Sequence, residues 1–143
     1  MLNKFCLILF LNFLYLCDIY ATSFLNICYD PDASVESKET IKAIMIWFKV
    51  YSDINKDSCL RTDKLLHQSK DLNLYPNPLG YPRDKIEDLS PLRDAQNLVW
   101  LSLGGNKIKD ISPISKLYNL EYLNLSFNNI RDVNVLENLI KLR

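Results

Sequence analysis

The chain has 143 residues, enough for one domain and not two. Its 17 Lys and Arg are balanced by 17 Asp and Glu. That balance argues against a nucleic-acid or polybasic membrane partner, because both need clustered positive charge. Hydrophobic residues make up 48% and charged residues 24%, the balance of a globular protein. Three glycines and one histidine leave little material for phosphate loops, histidine metal sites or imidazole acid–base chemistry, so the composition leans away from an enzyme.

The first 21 residues read as an address. Lys4 is the only charge before Asp18, and Phe5 to Cys17 is apolar apart from Asn12. A bilayer-spanning helix needs about 20 apolar residues, so this run is too short. A basic start, a short apolar core and a small residue at Ala21 make a secretory signal with cleavage after Ala21. Leu-Tyr-Leu before Cys17 is not a lipoprotein signal, which wants a small residue there. The mature chain is expected to be secreted or periplasmic, with no stable membrane insertion once the signal is removed.

Residues 22–68 are expected to form a helical N-terminal cap. Cys6 and Cys17 leave with the signal, and the two that remain, Cys28 and Cys59, are expected to pair in an oxidising compartment. Closing such a loop contributes roughly 3–4 kcal/mol by chain-entropy arithmetic. Two cysteines and the distant His67 do not make a four-ligand zinc site, and nothing near either thiol would lower its pKa. No metal, cofactor or catalytic residue is expected. From Glu36 to Tyr51, the residues Ile41, Ile44, Met45, Phe48 and Tyr51 fall at helical spacing, with Ser34 or Ser37 as the cap. Cys59 to Gln68 reads as a second short helix offering Leu60, Leu65 and Leu66 for burial.

Residues 69–143 repeat. Leu98–Asn119 written above Leu120–Lys141 matches at Leu98/Leu120, Leu101/Leu123, Leu103/Leu125, Asn106/Asn128, Ile108/Ile130, Asp110/Asp132 and Leu117/Leu139. The preceding stretch obeys the same offset of 22, with Lys85, Ile86, Asp88, Ser90, Pro91, Asn97 and Leu98 recurring at Lys107, Ile108, Asp110, Ser112, Pro113, Asn119 and Leu120. Leu101-Ser102-Leu103 has period two, so the leucines face inward and Ser102 outward on a short strand. Ile108, Ile111, Ile114 and Leu117 recur every third residue, which suits a 3₁₀-like return. Asn106 and Asn128 stand where the chain turns, and their carboxamides are expected to form a buried ladder between coils. No coil can bury its leucines alone; stacking makes one core and lays the strands into a parallel sheet. The fold class is therefore α/β, a short solenoid with parallel strands on the concave face and an irregular or 3₁₀ convex side.

The run Leu98-x-x-Leu101-x-Leu103-x-x-Asn106-x-Ile108-x-Asp110-Ile111-x-Pro113-Ile114 resembles the bacterial 22-residue leucine-rich repeat of the internalin-like type. The resemblance covers about Ser69 to Arg143. It implies an exported binding scaffold with an N-terminal helical cap, docking proteins on its concave face. This chain has only two complete repeats, 98–119 and 120–141, behind an irregular first one at 69–97.

The irregular coil admits two registers. One keeps the offset of 22 and aligns Leu79, Tyr81 and Asp84 with Leu101, Leu103 and Asn106. The other uses Leu72-Asn73-Leu74-Tyr75-Pro76-Asn77 and inserts seven residues before Ile86. The second is preferred, because Pro76, Pro78 and Pro82 make Tyr75–Asp84 a poor strand and a good loop.

Outward strand positions then give the expected protein-binding face: Asp71 and Tyr75 on the first coil, Trp100 and Ser102 on the second, Tyr122 and Asn124 on the third. Trp100 and Tyr122 are equivalent positions on adjacent coils, and exposed aromatics on a rigid sheet are the usual anchors of protein recognition. The expected function is an exported interaction module for a protein partner, with no catalysis of its own. The alternative is the N-terminal recognition part of a larger protein whose activity, enzymatic or not, lies beyond Arg143.

Overall fold

The structure, a computed structural model, describes residues 22–50, 53–76 and 85–143. The signal expected over residues 1–21 and most of the loop after Pro76 lie outside the described residues.

Among the described residues three helices precede the strands: α1 (Ser23–Tyr29), α2 (Val35–Trp47) and α3 (Lys56–Gln68). Each begins on a side chain that satisfies free backbone donors. Thr22 Oγ1 accepts from the Leu25 N–H, and Ser34 Oγ from the Ser37 N–H. On α3 the capping box is reciprocal: Asn55 Oδ1 accepts from Asp57 and Ser58, and Ser58 Oγ accepts from the Asn55 N–H. Of the two serines expected to cap α2, Ser34 does so. That helix stops at Trp47 because Lys49 turns left-handed (φ 57°) and the N–H groups of Lys49 and Val50 fold back onto Ile46 and Met45. Tyr51, expected in its last turn, lies outside the described residues.

Cys28 and Cys59 are bonded, with their Cα atoms 6.1 Å apart. They join α1 to the first turn of α3. The bond sets which face of α3 is inward: Cys59, Thr62 and Leu66 are buried, whereas Leu60, expected to be buried, is 46% exposed. It stands about 100° around the helix from Cys59, and the face through the disulfide wins. Helix α1 was not legible in the sequence. It is seven residues long, yet it buries Phe24 and Cys28 against α3 and the first coil.

Among the described residues three short strands follow: β1 (Asp71–Asn73), β2 (Trp100–Ser102) and β3 (Tyr122–Asn124), parallel and adjacent in that order. Leu72 pairs with Leu101 and Leu101 with Leu123. This is the register with the inserted loop; the alternative that placed Leu79 opposite Leu101 is excluded. Each coil returns through a 3₁₀ turn, at Ser90–Leu92, Ser112–Ile114 and Asn134–Asn138. In the first two, proline sits in the opening turn, where its missing N–H costs nothing. The repeat's aspartate closes each turn from outside: Asp88, Asp110 and Asp132 accept from the N–H groups of Ser90, Ser112 and Asn134.

The core runs unbroken from the cap into the coils. Ile41, Ile44 and Leu66 share it with Leu72, Leu98, Leu101, Leu103, Ile108, Ile114 and Leu117, all fully buried. Each such side chain contributes about 1.5–3 kcal/mol. Leu123 and Leu125 pack against the same core but are half-buried.

The asparagine ladder is present. Asn106 Oδ1 accepts from the Ile86 N–H at 3.0 Å, while Nδ2 donates to Leu74 O at 3.0 Å and Leu103 O at 2.9 Å. Asn128 repeats this one coil on, accepting from Ile108 and donating to Leu103 O and Leu125 O. A second ladder, which the sequence reading missed, runs along the other side of the coils. Asn97 donates to His67 O at 2.6 Å and Asn119 to Gln96 O at 2.9 Å.

Candidate protein-binding face

Successive residues of a strand point to opposite sides, so the inward leucines send Asp71, Asn73, Trp100, Ser102, Tyr122 and Asn124 to the concave face. The register lays them in rows. Asp71, Trp100 and Tyr122 make one, and Asn73, Ser102 and Asn124 the next. Beyond the strand ends stand Tyr75, Gly104 and Ser126.

In the first row the rings of Trp100 and Tyr122 stack, with centroids 5.3 Å apart and planes within 5°. This is the strand spacing expressed in side chains, as expected for equivalent residues on neighbouring coils. Tyr122 remains 47% exposed and Trp100 is half-buried. Asp71 is exposed. Its backbone is tied to Ser69, whose hydroxyl accepts from the Asp71 N–H and donates to its carbonyl.

The second row corrects one expectation. Ser102 is 4% exposed and offers no contact to a partner. It occupies the middle strand, in register between the longer Asn73 and Asn124. The two asparagines are themselves braced. Asn73 Oδ1 accepts from the Tyr75 N–H and Asn124 Oδ1 from the Ser126 N–H, each at 3.0 Å. The oxygen of each carboxamide is thus occupied by a local turn, and the NH₂ edge is left for other acceptors.

Tyr75 is 50% exposed and lies over Gly104 and Gly105. A Cβ at Gly104 would come within 3.2 Å of its ring, and one at Gly105 within 3.3 Å. Gly105 also has φ 75°, a left-handed backbone that favours glycine, and the ring lies close above it. The pair relieves crowding where the chain leaves β2.

Charge around the face is uneven. Glu121, just before β3, is paired with Arg143 at 2.9 Å. The Asp71 carboxylate makes no ion pair among the described residues. Among the described residues no three His, Cys, Asp or Glu converge as a metal site, and no helix is long and apolar enough to cross a membrane.

Stacked coils of parallel strand, asparagine turn and 3₁₀ return define a leucine-rich-repeat solenoid. The sequence agrees: residues 96–138 match the family model of leucine rich repeats (2 copies). Together with the helical cap, the architecture is internalin-like. An internalin (inlF) from Listeria monocytogenes superimposes over 89% of this chain with a TM-score of 0.62 and 24% identity. The chain spans 32% of the length of that protein. An internalin C2 (inlC2) from the same organism is 43% identical over 41% of this chain and 26% of its own, with a TM-score of 0.40. No curated protein matches the sequence.

Proposed function

We propose that this protein is an exported protein-interaction module that binds a partner through its concave face and performs no catalysis of its own. Trp100 and Tyr122 are the anchors, with Asp71, Tyr75 and Asn124 around them. The observation that carries this reading is the Trp100–Tyr122 stack, with Tyr122 47% exposed, on a sheet whose leucines turn into the core. Two aromatic rings held parallel by backbone register have little rotamer entropy left to lose on binding, which is what makes such residues effective anchors. The structural likeness supports the scaffold only; the partner reading rests on the face. Export is supported by the apolar start of the chain and by the Cys28–Cys59 bond, which persists in oxidising compartments.

The test is selection of a displayed random-peptide library on residues 22–143, followed by comparison with the Trp100→Ala/Tyr122→Ala double variant. The expected result is a loss of affinity of about 30-fold or more, the scale of anchor residues, with an unchanged far-ultraviolet spectrum. Binders that hold equally to the double variant exclude the concave face.

A further inference from the structure

We infer that the concave face recognises an arginine side chain of its partner, whose guanidinium seats between the Asp71 carboxylate and the face of the Trp100 indole turned away from Tyr122. This deepens the proposed function and rests on it. Stacking between neighbouring strands covers one face of each ring with the other. Tyr122 covers the face of Trp100 turned toward β3. The opposite face is turned toward β1, where the in-register residue is Asp71.

Asp71 has the right chemistry and the right length. Its side chain is much shorter than an indole, so the register sets a short acid beside a tall ring. Its backbone is held at both polar atoms by Ser69, which fixes the position of the acid. Its carboxylate is exposed and makes no ion pair among the described residues, and Lys70 beside it is not within ion-pair distance. Glu121 faces no such vacancy, because Arg143 already neutralises it. A planar cation satisfies both groups at once: its face lies on the π-system and its N–H edge meets the carboxylate. Ammonium groups satisfy the carboxylate but do not stack. The row above completes the fit, since the NH₂ edges of Asn73 and Asn124 are available to carbonyls of the partner's backbone on either side of the arginine.

The probe is the blocked tripeptide acetyl-Gly-Arg-Gly-amide, titrated against its citrulline counterpart, which keeps the shape and loses the charge, and against its lysine counterpart. A Trp47→Phe background makes Trp100 the sole tryptophan, since the chain has two. The arginine peptide is expected to quench Trp100 and to shift the amide signals of Asp71 to Asn73, both saturably. Citrulline and lysine peptides are expected to bind at least about five-fold more weakly. Asp71→Asn is expected to bring the arginine peptide down to the citrulline level while leaving the melting temperature unchanged. Equal binding of arginine and citrulline peptides, or indifference to Asp71→Asn, overturns the inference. Library binders separate the two levels. Binders that need Trp100 and Tyr122 but carry no basic residue and ignore Asp71→Asn overturn the arginine site and leave the concave-face reading standing. Binders indifferent to the aromatic pair overturn that reading itself.

Discussion

Ser37 on α2 donates its hydroxyl proton to the carboxylate of Asp88 in the first coil, 51 residues away, and ties the helical cap to the solenoid. Asp88 is the repeat's turn-closing aspartate, holding Ser90 through its N–H at 2.9 Å and its hydroxyl at 2.7 Å. Only in this coil does it also face the cap, where Thr40 Oγ1 donates to its carbonyl at 2.7 Å. One acid of the repeat has been given two tasks.

Asp88→Asn is therefore expected to cost about 2 kcal/mol at neutral pH, the scale of hydrogen bonds to a charged acceptor. Burial raises the Asp88 pKa, but the hydrogen bonds from Ser37 and Ser90 and the Arg93 charge outweigh it, so the net shift is downward. A depressed carboxylate contributes stability that is present above the unfolded value of about 3.9 and is lost as pH falls through the folded value. The difference between wild type and variant in urea unfolding should shrink below about pH 4. A gap that does not change between pH 7 and pH 3 would contradict this assignment.

The asparagine ladder predicts an unequal pair. Asn106→Ala strands the Ile86 N–H and the carbonyls of Leu74 and Leu103 in the core, a loss of about 3–4 kcal/mol. Asn128→Ala removes the same bonds, but its site is half-buried and water can replace part of them. About 1–2 kcal/mol is expected there. Denaturation midpoints of the two variants, compared side by side, decide whether burial sets the cost.

Gly105 and Phe127 occupy the same place in consecutive coils, and both are left-handed, at φ 75° and 57°. Phe127 is 85% exposed and gains nothing from packing to offset its backbone. Phe127→Gly should be stabilising by up to about 1 kcal/mol, the left-handed penalty less the added freedom of the unfolded chain. Gly105→Ala should be destabilising by about 1–2 kcal/mol, because strain adds to the approach of the Tyr75 ring. Thermal melts moving in opposite directions are the check.

What the sequence made legible follows from where its signals were redundant. The coils were readable because each inward leucine is repeated at one offset, and the register of β1 because prolines ruled out the competing segment. Cys28–Cys59 followed from counting thiols once the leader expected over residues 1–21 was set aside. Helix α1 was missed because seven residues are too few for a helical period to stand out, and its stability comes from packing on α3 and the first coil. Ser102 was misjudged because alternation tells inward from outward and says nothing about neighbours. It is buried on the middle strand, with a longer residue in register on each side. The arginine site needs both the ring geometry and the register, neither of which a linear pattern contains.

The Cys28–Cys59 bond closes a loop of 31 residues around α2. The Cys28→Ser/Cys59→Ser variant should lose about 3–4 kcal/mol. The loss falls on the cap, which covers the first coil with Phe24, Ile41 and Ile44. Amide exchange is the sharper measurement: faster exchange in α1 and α3 with β2 and β3 little changed is the expected pattern, and uniform acceleration would mean that cap and coils unfold as one unit.

His67 offers the last test, and it is the chain's single histidine, so its titration is unambiguous. Its Nδ1 lies 3.3 Å from the Asp63 carboxylate and 2.9 Å from the Asp63 carbonyl, on α3 itself. The hydrogen bond to Asp63 raises its pKa; burial opposes the shift without reversing it, and the charges of Asp63 and Asp94 add to the rise. Both acids also hold α1: Thr22 Oγ1 donates to Asp63 and the Ser23 N–H to Asp94. A raised histidine contributes stability that is complete below the unfolded value of about 6.5 and disappears as pH rises through the folded value. Alkaline pH should therefore loosen the junction of α1 with α3 before the coils are affected. The imidazole proton signals should report a midpoint above 6.5 in the wild type and a lower one in Asp63→Asn, which removes the largest cause. An unchanged midpoint in that variant would place the source of the shift elsewhere.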